Sequence, residues 1–116
     1  MTTNNPKIKT ILKAAREILQ DEKRWTKGYF ARTAAGDRVE SCNKAAVCYC
    51  AMGAIDKAAV EAREPRFGVG DDAIDALAKF LPDGHQKSVA SFNDNPKTTH
   101  AEVLALFDQA IAKLES

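Results

Sequence analysis

A chain of 116 residues, 45% apolar and 28% charged, suits one globular domain with its own core and no need of disulfide staples. Seventeen basic against sixteen acidic side chains leave almost no net charge, which argues against general nucleic-acid binding and against a membrane-surface role. No apolar run approaches bilayer-spanning length, and the opening Met1-Thr2-Thr3-Asn4-Asn5-Pro6 lacks the basic start and apolar stretch of a secretory leader.

Residues 1–5 are expected to form a flexible N-terminus whose last member, Asn5, caps the first helix, with Pro6 in the first helical position. Ile8, Ile11, Leu12, Ala15, Ile18 and Leu19 fall on one stripe at helical spacing, and Lys9, Lys13, Arg16, Glu17 and Gln20 take the other face. This helix should stop near Asp21–Lys23. From Trp25 to Glu40 the helical period is lost. Tyr29–Thr33 and Arg38–Glu40 can pair around Ala35-Gly36-Asp37 as a small hairpin, or the segment stays an extended arm.

The spacing predicts a second helix from about Lys44 to Glu61, capped by Asn43 or Ser41. Its stripe is Val47, Cys50, Ala51, Ala54, Ile55 and Ala58. Most of that stripe is small, so another element can approach closely, as suits a central helix. Glu64 to Gly70 reads as a loop. Asp71 or Asp72 begins a short helix with Ile74, Leu77, Ala78 and Leu81 inward, ended by Pro82-Asp83-Gly84. Ser88–Phe92 can make one helical turn, and Phe92-Asn93-Asp94-Asn95-Pro96 is turn-like. Thr99 and Glu102 have capping-box spacing and open the last helix, with Val103, Leu106, Phe107, Ala110, Ile111 and Leu114 inward. The expected fold is one mainly α domain over 1–116. It has three main helices, one short helix, and a small β-hairpin or extended arm between the first and second helices.

Four groups of residues can carry chemistry. Cys50 and His100, oriented by Asp94 or Asn93, have the residue types of a nucleophile, base and orienter. The bland reading makes Cys50 a small apolar residue in a helix seam and His100 a helix-start residue bonded to a carbonyl. The bland reading is preferred, because Cys50 lies on the apolar stripe. Cys42, Cys48, Cys50, His85 and His100 are suitable metal ligands by type, but no Cys-x-x-Cys pair exists. On a helix Cys48 and Cys50 would point about 200° apart. No metal and no cofactor is expected. An odd count of three close-set cysteines suits reduced thiols in a cytoplasm better than a disulfide framework.

The third group is the arm Lys23–Arg32, where Trp25, Tyr29 and Phe30 alternate with Lys23, Arg24, Lys27 and Arg32. Such an arm can hold phosphates while its rings stack on bases. With only eight aromatic residues in the chain, anchoring the arm to the core is the preferred role. The fourth is Phe92-Asn93-Asp94 followed by Thr98-Thr99-His100. It either satisfies its own turn backbone or forms a polar pocket beside the start of the last helix.

The blocks Trp25-Thr26-Lys27-Gly28, Cys50-Ala51-Met52-Gly53-Ala54, Phe92-Asn93-Asp94 and Thr98-Thr99-His100-Ala101-Glu102-Val103 together resemble an uncharacterised family of small bacterial and phage proteins. That family is known only as a domain of unknown function. The resemblance covers nearly the whole chain. It implies that Trp25, Lys27, Gly28, Cys50, Gly53, Ala54, Asn93, Asp94, Thr99 and His100 are its characteristic positions, with Cys42 and Cys48 as departures. It lends no activity, cofactor or partner, and it implies a bacterial cytoplasm or an infected bacterium as the setting.

The preferred expectation is a non-enzymatic binding or regulatory module that uses Trp25, Lys27, Tyr29, Asn93, Asp94 and His100, with a protein as partner. One alternative is a small hydrolase or transferase using Cys50, His100 and Asp94. The other is a single-stranded nucleic-acid binder using the Lys23–Arg32 arm.

Overall fold

The computed structural model describes residues 5–64, 68–82 and 88–115, with the side chains of Asn5 and Glu115 excepted. Several expectations fall outside these residues: the fate of residues 1–4, the Asn5 side-chain cap, the Pro65–Phe67 part of the loop, the Asp83-Gly84 helix stop and the ligand role of His85.

The first helix, α1 (Asn5–Leu19), has the face its sequence predicts: Ile8, Ile11, Leu12, Ala15, Ile18 and Leu19 are all buried. It is followed by a single 3-10 turn at Glu22–Arg24, capped by the Asp21 carboxylate on the Lys23 N–H. The last helix, α5 (His100–Glu115), packs against α1, with Val103, Leu106, Phe107, Ala110 and Ile111 buried. Its start is the predicted capping box. Thr99 N–H donates to Glu102 Oε1 at 2.8 Å and Glu102 N–H donates to Thr99 Oγ1 at 3.2 Å. Arg16 on α1 and Asp108 on α5 pair across the outside of this seam.

The hairpin forms, from β1 (Ala31–Thr33) and β2 (Arg38–Val39), with Gly36 at φ +89° in its turn. A third strand, β3 (Ala46–Tyr49), pairs antiparallel with the other edge of β1, giving the order β2-β1-β3. This corrects the expected helix from Lys44. Only α2 (Ala51–Glu61) is helical there. Val47 leaves the apolar stripe and is exposed on β3. Apolar residues at 47, 50, 51, 54, 55 and 58 fit a helical period, but a short run of this kind is equally open to a strand. The free edge of β1 decides, since pairing satisfies the backbone of 46–49, and Cys50 becomes the extended residue that caps α2 rather than a residue inside it.

The C-terminal end of α2 closes on Arg63 at φ 62°. Arg63 N–H donates to Val60 O and Glu64 N–H donates to Ala59 O, both at 2.9 Å, a left-handed cap of the Schellman kind. Beyond it, α3 (Val69–Ala78) starts two residues before the expected Asp71. Its buried face is Val69, Ala73 and Leu77, while Ile74, Ala78 and Leu81 are half-buried. The next helix, α4 (Val89–Asp94), is capped by Ser88 and includes Phe92, Asn93 and Asp94, which were expected in a turn. Among the described residues there are thus five α-helices rather than four. The core lies where α1 meets α2, α3 and α5, and the small sheet sits at the N-terminal end of α2.

Candidate functional site

The positions that carry the resemblance meet in space, and they meet as a clasp. After the 3-10 turn the arm passes beside β3, where Thr26 N–H donates to Tyr49 O at 2.9 Å. That contact aims Trp25 and Lys27 at the α4–α5 corner. Trp25 Nε1–H donates to Asn93 Oδ1 at 2.7 Å, and Ala51 N–H donates to the same oxygen at 3.0 Å. Asn93 Nδ2 donates to Thr26 O and to Asp94 Oδ1, both at 3.0 Å. The buried Asn93 amide therefore makes two bonds as acceptor and two as donor, a complete set for that group. Its Oδ1 bond to Ala51 N–H also caps α2.

Around this amide the other members fall into place. Lys27 Nζ donates to Asn95 O at 2.7 Å and Thr98 O at 2.9 Å, and lies 5.2 Å from the centre of the Trp25 ring. Gly28, at φ +89°, donates its N–H to Asp94 Oδ1 at 2.8 Å. Gly53 stands where a Cβ would run into the backbone carbonyl of Phe30, so the arm approaches α2 as closely as the missing side chain permits.

Cys50, His100 and Asp94 each have separate partners. Cys50 Sγ accepts from Gly53 N–H at 3.3 Å and is buried at the α2 N-cap. Burial pushes its thiol pKa up. The N–H groups of Gly53 and Met52 pull the other way without winning, and the charge of Asp94 adds to the rise. The His100 ring lies 5.8 Å from that of Trp25, and its Nε2 is 2.6 Å from Leu19 O at the end of α1. A carbonyl only accepts, so Nε2 carries the proton, and His100 satisfies one of the open carbonyls of α1. With α2 beginning at Ala51, the objection that a helix would turn Cys48 and Cys50 apart no longer applies. Cys48 Sγ instead faces Arg32 O at 3.9 Å. Among the described residues no three His, Cys, Asp or Glu side chains are grouped to hold a metal ion.

What the clasp leaves accessible is its tip, Tyr29 and Phe30. A cleft of about 430 Å³ opens between this tip, α2 and α3. Tyr29, Phe30, Met52, Ile55, Val60 and Ile74 supply its apolar lining. Glu40, Asp56 and Asp71 supply carboxylates, and among the described residues no lysine or arginine lines it. Ser41 also lines the cleft. It is 3% exposed, and its hydroxyl has no hydrogen-bond partner among the described residues. A smaller cleft of about 200 Å³ lies on the other side of the tip. It shares Tyr29, Phe30 and Met52 and reaches Cys50 and Asp94.

Of the expected binding residues, Tyr29 alone lines the main cleft. Trp25, Lys27, Asn93 and His100 are engaged in the clasp, and Asp94 edges the smaller cleft. Sequence reasoning passed over Glu40, Asp56 and Asp71, because residues 16 and 15 positions apart carry no local pattern. The available signal was the pair Tyr29-Phe30 between Gly28 and a short strand, a placement that favours an exposed tip.

A sequence model described as a family of unknown function, DUF6197, matches residues 3–113. No curated protein and no solved structure matches the chain.

Proposed function

This chain belongs to the family of unknown function DUF6197, and we propose that it is a binding module whose recognition surface is the cleft beside Tyr29 and Phe30. One observation carries the reading. Among the described residues four large apolar side chains stand exposed: Tyr29 at 38%, Phe30 at 45%, Val47 at 46% and Val60 at 48%. Three of them line this one cleft. Scattered exposed apolar groups are ordinary, but their concentration around a concavity marks an interaction site. The clasp gives the tip a rigid base, since Gly28 and Trp25 are held by hydrogen bonds on one side and Cys50 N–H donates to Phe30 O on the other. A preformed site loses less conformational entropy on binding.

The other two readings have less support. An activated thiolate needs a lowered pKa, whereas the environment of Cys50 raises it, and the Nε2 proton of His100 is committed to Leu19 O. For a nucleic-acid strand, the Lys27 amine is committed to two carbonyls and the cleft beside the tip carries carboxylates. The setting we place it in, a bacterial cytoplasm or an infected bacterium, is supported by the resemblance and by three cysteines that form no disulfide. Among the described residues no helix is long and apolar enough to cross a membrane.

The test is a titration of the isotope-labelled protein with a panel of short peptides of varied composition, followed by amide chemical shifts. Shifts confined to Phe30, Met52, Ile55 and Ile74, weakened at least ~30-fold in Phe30→Ser, support the module, since an aromatic anchor is worth about 2 kcal/mol or more. Shifts at the Lys27–Thr98 corner instead, or none at all, would sink it.

A further inference from the structure

Resting on that cleft as the recognition surface, we propose that its occupant is a segment of a protein partner carrying lysine or arginine among apolar side chains. The chain as a whole is balanced at a formal net charge of +1. Its cleft is not. Glu40, Asp56 and Asp71 come from the loop after β2, from the middle of α2 and from the first turn of α3, and all three line the same concavity. Among the described residues no lysine or arginine lines either cleft, and none of the three carboxylates has an ion-pair partner. Carboxylates beside apolar walls concentrate a negative potential that draws in cations and repels anions.

Two further features fit a cation carried on an apolar stem. The Tyr29 ring already takes the Arg38 guanidinium at 5.6 Å, and the Phe30 ring meets it edge-on with centroids 5.8 Å apart. The Tyr29 ring thus holds a cation at the edge of the cleft it lines. Ser41 lines the cleft, and its hydroxyl, which has no hydrogen-bond partner among the described residues, can accept from an ammonium, a guanidinium or a peptide N–H. A side chain of lysine or arginine supplies both the apolar stem and the donor-only head this lining asks for.

The two clefts favour a chain over a small amine. They adjoin across Tyr29, Phe30 and Met52, and the smaller one ends at a fourth carboxylate, Asp94. A segment laid over the tip meets carboxylates on both sides, whereas a small amine occupies one of them.

The experiment uses the full chain and four probes in calorimetric titrations. Three are peptides of one length that alternate leucine with lysine, glutamine or glutamate. The fourth is butylammonium. The lysine peptide is expected to bind about tenfold tighter than the glutamine peptide at low salt, as two or three exposed charge contacts supply. The glutamate peptide should bind weakest, and the differences should shrink at high salt. Asp56→Asn with Asp71→Asn should bring the lysine peptide to the glutamine value and leave the glutamine peptide unchanged. Glu40→Gln, at an exposed position, serves the same purpose if the double variant does not fold. Equal affinity for the lysine and glutamine peptides overturns the charge inference and leaves the cleft standing. Butylammonium binding as tightly as the lysine peptide overturns the protein partner. A preference for the glutamate peptide overturns the proposal, and no binding by any peptide overturns the cleft as well.

Discussion

The indole N–H of Trp25 and the side-chain oxygen of Asn93 meet at 2.7 Å across 68 residues of sequence, a bond that ties the arm after α1 to α4, and Ala51 N–H on the same oxygen ties both to the start of α2. Because Asn93 is fully buried and all four of its bonding positions are used, the Trp25 indole N–H, Ala51 N–H and Thr26 O would each lose a partner without it, while Asp94 Oδ1 keeps Gly28 N–H. Asn93→Ala is therefore expected to destabilise the fold by about 2–4 kcal/mol, the range for stranding more than one buried polar group. Denaturant unfolding followed by Trp25 fluorescence measures it, and the chain has a single tryptophan. A loss below about 1 kcal/mol would mean that the network is not a structural unit.

Gly53 gives the opposite sign to the one helix propensity predicts. In an open helix, Gly→Ala gains about 1 kcal/mol. Here the new Cβ runs into the Phe30 carbonyl, which is backbone and already accepts from Cys50 N–H. Gly53→Ala is expected to lower stability by roughly 1–3 kcal/mol or to displace the Tyr29–Phe30 tip, seen as amide shifts at those residues. A stabilised variant with an unmoved tip would contradict the close approach.

Arg63 invites the reverse exchange. It holds a left-handed backbone at φ 62° that costs an L side chain about 1–2 kcal/mol and costs glycine almost nothing. Arg63→Gly is expected to raise the unfolding midpoint, with a net gain of about 1 kcal/mol after the greater freedom of glycine in the unfolded chain is subtracted. No gain would mean that this helix end is not held as described.

Cys50 makes stability depend on alkaline pH. Its thiol pKa is raised, chiefly by burial, so the folded state holds the proton more tightly than the unfolded chain. The stabilisation is fully present below the unfolded thiol pKa of about 8.5 and is lost as pH rises through the folded value. Cys50→Ser keeps an acceptor for Gly53 N–H and does not titrate in this range. Its unfolding midpoint should fall less than that of the parent above about pH 8.5. Alkylation offers a second check. Cys42 is exposed and should react well before Cys50. A Cys50 that reacts first at neutral pH would reverse the assignment of its environment and revive the Cys–His reading.

Much of this was legible in the residues alone. The stripe from Ile8 to Leu19, the capping box at Thr99 and Glu102 and the hairpin about Gly36 are local patterns. Periods of 3.6 and 2, caps and turns are set within a few residues of each other, so one dimension suffices to read them. At 46–50 this failed. Helix and strand fit the same apolar residues, and the choice depended on whether β1 had a free edge, which is a property of the fold. Asn93 and His100 stand out in the sequence, but apart from Asp94 beside Asn93, what each bonds to lies 42 to 81 positions away.

The sequence by itself determined the helices with clear stripes, the turn residues and the balance of charge, because these follow from local spacing and composition. Only the tertiary structure decided which polar groups are consumed by packing and which stay open. Trp25 and Lys27 have their donors committed to oxygens brought from the far end of the chain, while Tyr29 and Phe30, two and three residues past Lys27, line a cleft with three carboxylates. Buried donors must find acceptors wherever the fold offers them, so their partners and the cleft left over were fixed together by long-range packing.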